Sequence, residues 1–424
     1  MTHSDDGQAT LSPARIRFAL LALALGGFGI GSTEFVAMGL LPDIAADLLP
    51  GVHASSPEHA NAQAGWLISA YALGVVVGAP TIAAAAARWP RRRLLLALLT
   101  AFTLGTVASA LLPTFGLVLV ARFVAALPHG AYFGIASLVA ASLMGPGKRG
   151  QGVALVLSGL TIANVVGVPA ITWLGQVTDW RIAYLAVAGI FAATFLAVLV
   201  AVPWQPGDPD ATIARELRAF SRLQVWFALA IGAIGFGGLF AVYTYVAPLA
   251  TEVTGLDAAA VPVVLVVIGL GMTVGNLIGG RLADWSVRRS MYLFFAVLAA
   301  ALVLLGFAAT TVVGLGAGVF LVGASSAALS PTIQTRLMDV ARDSQSIAAA
   351  LNHSALNIGN SLGAALGGAA IAAGFGYVAP VWIGLALTGA GIVLALASFA
   401  LDRARRRRGV DVPGVTAAIA VVEG

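Results

Sequence analysis

Apolar residues in this chain gather in long blocks separated by short polar breaks. Twelve blocks stand out, at 16–41, 62–87, 93–112, 115–143, 150–173, 181–203, 223–249, 259–283, 290–310, 312–338, 344–372 and 376–401. About 20 consecutive apolar residues span the hydrocarbon core of a bilayer as a helix. A helix is the fitting form there, because lipid offers no partner to an unpaired backbone group. The pattern predicts an all-α polytopic membrane protein. The first block follows Arg15 and Arg17 as a signal peptide would, yet it is longer than a signal core and contains Glu34. It reads as a retained first span.

The longest internal polar break is "PWQPGDPDATIARELRAFSR", Pro203 to Arg222. It divides the twelve spans six and six, giving an N-terminal half (1–203), a linker (204–222), a C-terminal half (223–403) and a basic, poorly ordered tail (404–424). Arg215, Arg218 and Arg222 recur in the linker at helical spacing, which predicts a short amphipathic helix at the membrane surface. Of the 23 lysines and arginines, all but Arg122 and Arg181 fall in the tails, the linker and alternate loops or in the span ends that border them. Lysine and arginine collect on the cytoplasmic side, so both termini are expected in the cytoplasm of a cell inner membrane.

Composition agrees with burial in lipid. The 424 residues are 59% apolar and 10% charged, where soluble domains carry about a quarter charged residues. The absence of cysteine excludes disulfides, thiolate metal sites and cysteine nucleophiles. A net charge of +5 would suit nucleic acid, but the basic residues are dispersed through short loops, so no nucleic-acid partner is expected. The loop "AAAAARWPRRRLLL" (Ala83 to Leu96) also has a counterpart in "GRLADWSVRRSMYL" (Gly280 to Leu293). Both set spaced basic residues before the next span. Two six-helix halves with matching loops mark a duplicated transporter.

Four stretches resemble the major facilitator superfamily, and within it the proton-coupled drug and sugar efflux branch of arabinose-type permeases and chloramphenicol exporters. They are "GFGIGSTEFVAMGLLPDIAADL" (Gly27 to Leu48), "ARFVAALPHGAYFG" (Ala121 to Gly134), "GLTIANVVGVPAITWLGQVTDWR" (Gly159 to Arg181) and "GRLADWSVRR" (Gly280 to Arg289). The resemblance implies the major facilitator fold, twelve transmembrane helices in two pseudo-symmetric six-helix halves. It also implies a coupling role for Arg122, helix bending around Gly159, Gly167 and Pro169, and a gating loop carried by Arg88, Arg92, Asp284 and Arg288. Ala87 stands where the loop motif usually has an acid, so the charge relay is complete only in its second copy.

Glu34 is the one acid in mid-span. Such a group is expensive in lipid, by about 2.5–3.5 kcal/mol on insertion scales, and faces a helix bundle or a cavity. Gly27 and Gly31 lie on its side of the helix, a surface suited to close packing. A carboxyl taken out of water can exchange protons near neutral pH, which makes Glu34 the leading proton or substrate group; a neutral, hydrogen-bonded packing acid is the other reading. Arg122 is the one base within a span and needs acceptors there. Placed toward the cytoplasmic side while Glu34 lies past the middle toward the outside, it is not expected to pair with Glu34, and a snorkelling structural arginine is the alternative. His129 lies two helical turns beyond Arg122, and an imidazole there relays protons or packs. His353, beside Asn352, has a weaker claim of the same kind.

Asn164, Asn276, Asn357 and Asn360, with Phe236, Phe240, Tyr243 and Tyr245, are candidates for a substrate cavity or for helix-to-helix packing. "GLGMTVG" (Gly269 to Gly275) imitates a dinucleotide loop, but no strand precedes it, and its glycines suit helix packing. No sequence motif for ATP binding or hydrolysis occurs. The expectation is a monomeric secondary transporter without cofactor, exchanging protons for a small, mostly apolar or sugar-like compound. A proton-independent facilitator is the alternative; a membrane enzyme or sensor lacks its parts.

Overall fold

The computed structural model describes residues 12–86, 88–145, 149–207, 221–341 and 345–407. Ala87, nearly all of the linker helix expected around Arg215 and Arg218, and the tail from 408 onward lie outside the described residues, as does the side chain of Asp284. Among the described residues twelve helices are long and apolar enough to cross a membrane: α1 (Pro13–Gly39), α2 (Pro57–Ala79), α3 (Arg91–Leu111), α4 (Phe115–Met144), α5 (Ala154–Val177), α6 (Trp180–Ala201), α7 (Leu223–Thr244), α8 (Ala258–Ala283), α9 (Trp285–Ala308), α10 (Val312–Val340), α11 (Leu351–Phe375) and α12 (Ala379–Ala404). They match the twelve apolar blocks. Their starts follow local chemistry. Ser12 accepts from the Arg15 N–H ahead of Pro13, Ser56 from the His59 N–H ahead of Pro57, and Asp179 from the Arg181 N–H.

Burial sorts the helices. Inside the protein lies 78% of the apolar window of α1 and of α7, against 28% of that of α12. The outer helices turn large side chains outward, among them Val200, Phe307, Val313 and Val393. In water such a surface would aggregate; against lipid it is at home.

Small residues set the inner packing. A Cβ at Gly159 would lie 2.0 Å from the Ala24 carbonyl oxygen, so only glycine lets α5 approach α1 this closely. The glycines of "GLGMTVG" act likewise, since Gly271 and Gly275 sit against the Phe320 and Ala324 carbonyls of α10. Ahead of Pro169, α5 relaxes into a π turn at Ala163–Gly167. Proline has no N–H to give its preceding turn, and π turns are a common accommodation.

The two six-helix halves meet unevenly. At the end opposite the basic loops, one continuous apolar core joins Phe35, Leu41, Leu67 and Val168 of the first half to Tyr243, Leu265 and Ile371 of the second. At the basic end, the first half keeps a core of its own, including Leu23, Leu98, Val139 and Val198. The seam at the opposite end also carries polar bonds between halves. Asn61 Nδ2 donates to the Tyr377 hydroxyl at 2.9 Å, Gln176 Nε2 to the Ala258 carbonyl at 3.0 Å, and Ser69 Oγ to the Ser361 carbonyl at 3.2 Å.

Candidate functional site

Glu34 is buried, at 5% exposure, on the α1 face that turns toward both α4 and α11. The Arg122 charge acts on its carboxyl, and the Asn360 amide approaches it. Both amide atoms of Asn360 are nevertheless buried without a completed hydrogen bond. Arg122 is itself fully buried. Its Nη1 donates to the Thr33 hydroxyl at 3.1 Å, and its Cζ lies 4.3 Å from the Tyr71 ring centroid and 5.4 Å from that of Tyr184. Nε and Nη2 have no acceptor. A delocalised cation held between aromatic faces, with two donors unspent, is prepared to bind a carboxylate or an acceptor on a ligand.

The expected depth of Arg122 is therefore corrected, while the expectation that it makes no direct ion pair with Glu34 agrees with its unpartnered Nε and Nη2. Neighbouring spans run in opposite directions, so a residue a third of the way along α4 stands level with one well past the middle of α1. Arg122 does not snorkel; its partners are Thr33, Tyr71 and Tyr184 at the level of the acid.

Two further groups close around this centre. Phe35 stacks across the seam on Tyr243 (5.3 Å between centroids, 13° between planes) and on Phe240 (6.4 Å, 8°). The Tyr243 hydroxyl donates to Asn164 Oδ1 at 3.5 Å, again between halves. Toward the basic end, the Tyr71 hydroxyl and His129 Nδ1 share a hydrogen bond of 3.3 Å. The His129 ring lies 6.2 Å from that of His353 on α11, and Phe133 stacks on His353 at 5.4 Å with 4° between planes. α4 breaks its helix at Leu127 and Pro128, just before this histidine. The buried centre is thus framed by an aromatic stack on one side and a histidine pair on the other, each built from both halves. Among the described residues no group of three or more His, Cys, Asp and Glu side chains forms a metal site.

The family model described as Major Facilitator Superfamily matches residues 23–347 and, in a second match, 229–421. The chain belongs to the major facilitator superfamily. It is 39% identical over 384 residues to the inner membrane transport protein YdhP of Escherichia coli (strain K12), covering 91% of this chain and 96% of that one. A chloramphenicol resistance protein of Streptomyces lividans is 34% identical over 385 residues, covering 89% and 95%. Among solved structures, a D-xylose–proton symporter superposes with a TM-score of 0.69 at 17% identity, covering 90% of this chain and 97% of that one. At that identity the likeness concerns the fold.

For this superfamily transporter, the structure brings together Glu34, Arg122, His129, Asn164, Phe240, Tyr243, Asn357 and Asn360 around the seam. Asn357 is buried one turn from His353, donating Nδ2 to its carbonyl at 3.0 Å while its Oδ1 has no partner. Phe236 is buried where α7 breaks, against Gly359 of α11. Asn276 is exposed on α8 and takes no part in the buried centre. Of the gating-loop residues, Arg92 donates to the Leu199 carbonyl of α6, whereas Arg88 and Arg288 are exposed. Sequence reasoning overlooked Tyr71 and Phe35, although each is an aromatic in mid-span beside other polar or charged positions. Nor does the sequence show that Arg336, counted among the basic residues outside the middle of the spans, is buried. The structure buries it as a strut whose Nη2 donates to Gln224 Oε1 (3.0 Å), Ser398 Oγ (3.2 Å) and the Asp402 carboxylate, tying α10 to α7 and α12.

Proposed function

We propose that this transporter is a secondary active antiporter of the cell inner membrane, exporting a small, mostly apolar or sugar-like compound in exchange for protons. Both termini lie in the cytoplasm, and the halves 1–203 and 223–403 rock about the buried centre. The observation that carries this reading is the buried Glu34 carboxyl, level with a fully buried Arg122 whose Nε and Nη2 await an acceptor. Protonated, Glu34 leaves the guanidinium free for an acceptor on the cargo. Deprotonated, it offers the guanidinium its own oxygens and displaces the cargo. Asn360 and Tyr243 bring the second half into contact with this exchange, and the His129–His353 pair stands on the route to the basic face. No cofactor is required. One entering proton supplies about 2.3 kcal/mol per 100 mV, and each pH unit adds about 1.36 kcal/mol.

Support for the export direction comes from the chloramphenicol resistance protein among the relatives. The test is Glu34→Gln in proteoliposomes. Substrate-driven proton movement is expected to vanish while the melting temperature stays close to that of the parent. Undiminished coupling in the variant would refute the assignment, and transport by the parent that ignores an imposed pH gradient would favour a facilitator.

A further inference from the structure

A cavity of about 870 Å³ opens where the seam reaches the face opposite the basic loops. Its walls come from different halves: Glu58 and Asn61 on one side, Glu252, Phe375 and Tyr377 on the other. The volume lies within the roughly 300–1,000 Å³ of sites that hold small organic ligands. No lysine or arginine lines it, and His53 is its one basic-capable side chain.

Its lining carries the Glu58 and Glu252 carboxylates and the Asn61 amide, beside the hydroxyls of Ser55, Ser56, Thr251 and Tyr377. Asn61 is 4% exposed, and with Nδ2 committed to Tyr377 its Oδ1 is buried without a partner. Burial raises the Tyr377 phenol above its usual range; the Asn61 bond opposes this, and the Glu58 and Glu252 carboxylates add to it. Both carboxylates therefore act on the same hydroxyl from opposite halves. Calcium takes six to eight oxygens, more than two carboxylates and an amide supply, and no three-residue metal cluster is present among the described residues. A positively charged ligand with N–H donors fits instead, since it answers the carboxylates and the orphaned Asn61 carbonyl together. Exposed Phe375 on the rim offers such a ligand an aromatic face.

We propose that this cavity binds small organic ammonium compounds, and that a bound ammonium holds this face of the transporter closed. Closure follows because the site exists only while its two walls are together; a ligand favours the state it binds. The site stands apart from Glu34 and does not depend on proton coupling there.

The test uses the full chain in detergent, titrated with 2-phenylethylammonium chloride and, as a neutral match in shape, 2-phenylethanol. The ammonium is expected to bind in the millimolar range and to raise the melting temperature, with the alcohol at least tenfold weaker. Glu58 and Glu252 are exposed, so the Glu58→Gln, Glu252→Gln double variant should keep its fold and melting temperature without ligand. In it, ammonium binding should weaken at least tenfold. Glu34→Gln should bind the ammonium as the parent does. Equal binding of alcohol and ammonium, no ammonium binding at 50 mM, or undiminished binding by the double variant would each overturn the proposal. Binding lost in Glu34→Gln and kept in the double variant would place the ligand in the centre, and would also overturn it.

Discussion

Tyr377→Phe tests how the seam is held shut. The substitution keeps the ring and removes one oxygen, the acceptor of the 2.9 Å bond from Asn61 Nδ2. Asn61 is already short of a partner at Oδ1, so both ends of a buried amide would then be unsatisfied. A buried polar group stripped of its partner destabilises by about 1–3 kcal/mol. That loss falls on the closed state alone, because separating the halves returns the Asn61 amide to water in parent and variant alike. The ratio of closed to open molecules should therefore drop by about 5- to 150-fold. The chain has no cysteine, so spin labels at Ser55→Cys and Ala259→Cys would report without background. These exposed positions belong to different halves at the end opposite the basic loops, Ser55 ahead of α2 and Ala259 at the start of α8, and double electron–electron resonance reads the distance between them. A longer-distance population should grow in Tyr377→Phe. Distance distributions that superimpose on those of the parent would show that the bond contributes nothing to closure.

Arg122→Lys keeps the charge but loses the planar group between Tyr71 and Tyr184, a contact worth up to about 2 kcal/mol when desolvated. Its melting temperature should fall and coupled transport should drop at least tenfold; parental transport would argue for charge alone. His353→Phe retains an aromatic partner for Phe133 and removes the imidazole. The fold should survive while the pH profile of transport changes, and an unchanged profile would reduce the histidine pair to packing. At the end opposite the basic loops, partial desolvation raises the carboxyl of the exposed Asp43 above its ordinary value of 3.8, and Asp179 adds to this against a local backbone hydrogen bond. The folded state then holds a proton that the unfolded chain has released, so stability declines as pH rises from the ordinary to the raised value. Asp43→Asn should accordingly raise the melting temperature at pH 7, with the two proteins converging below pH 3.8. A gain of equal size at low pH would contradict the cause assigned.

The twelve spans were legible because bilayer thickness imposes one length on every crossing, and that length shows directly in the apolar blocks. The burial of Glu34 inside the bundle was legible for a related reason: a mid-span carboxyl is too unfavourable to face lipid. Levels across the membrane were harder. Arg122 was misplaced because depth depends on the direction of each crossing, and one reversal exchanges the two faces. Partnerships between halves left no mark in the sequence. His129 and His353 are 224 positions apart, and neither carries a local signal that names the other. Arg336 resembled any cytoplasmic arginine, since its acceptors Gln224, Ser398 and Asp402 come from two other helices.

Phe35 directly follows Glu34, and successive residues of an α-helix point about 100° apart. One side chain lies under the influence of the Arg122 cation, while the next is pressed against Tyr243 of the opposite half. In the exchange proposed above, a small rotation of α1 about its own axis, in response to charge on the carboxyl, slides the Phe35 ring along its partner. In the proposed cycle, chemistry and movement are geared through a single peptide unit, and no relay of intervening residues is needed to carry the signal across the seam.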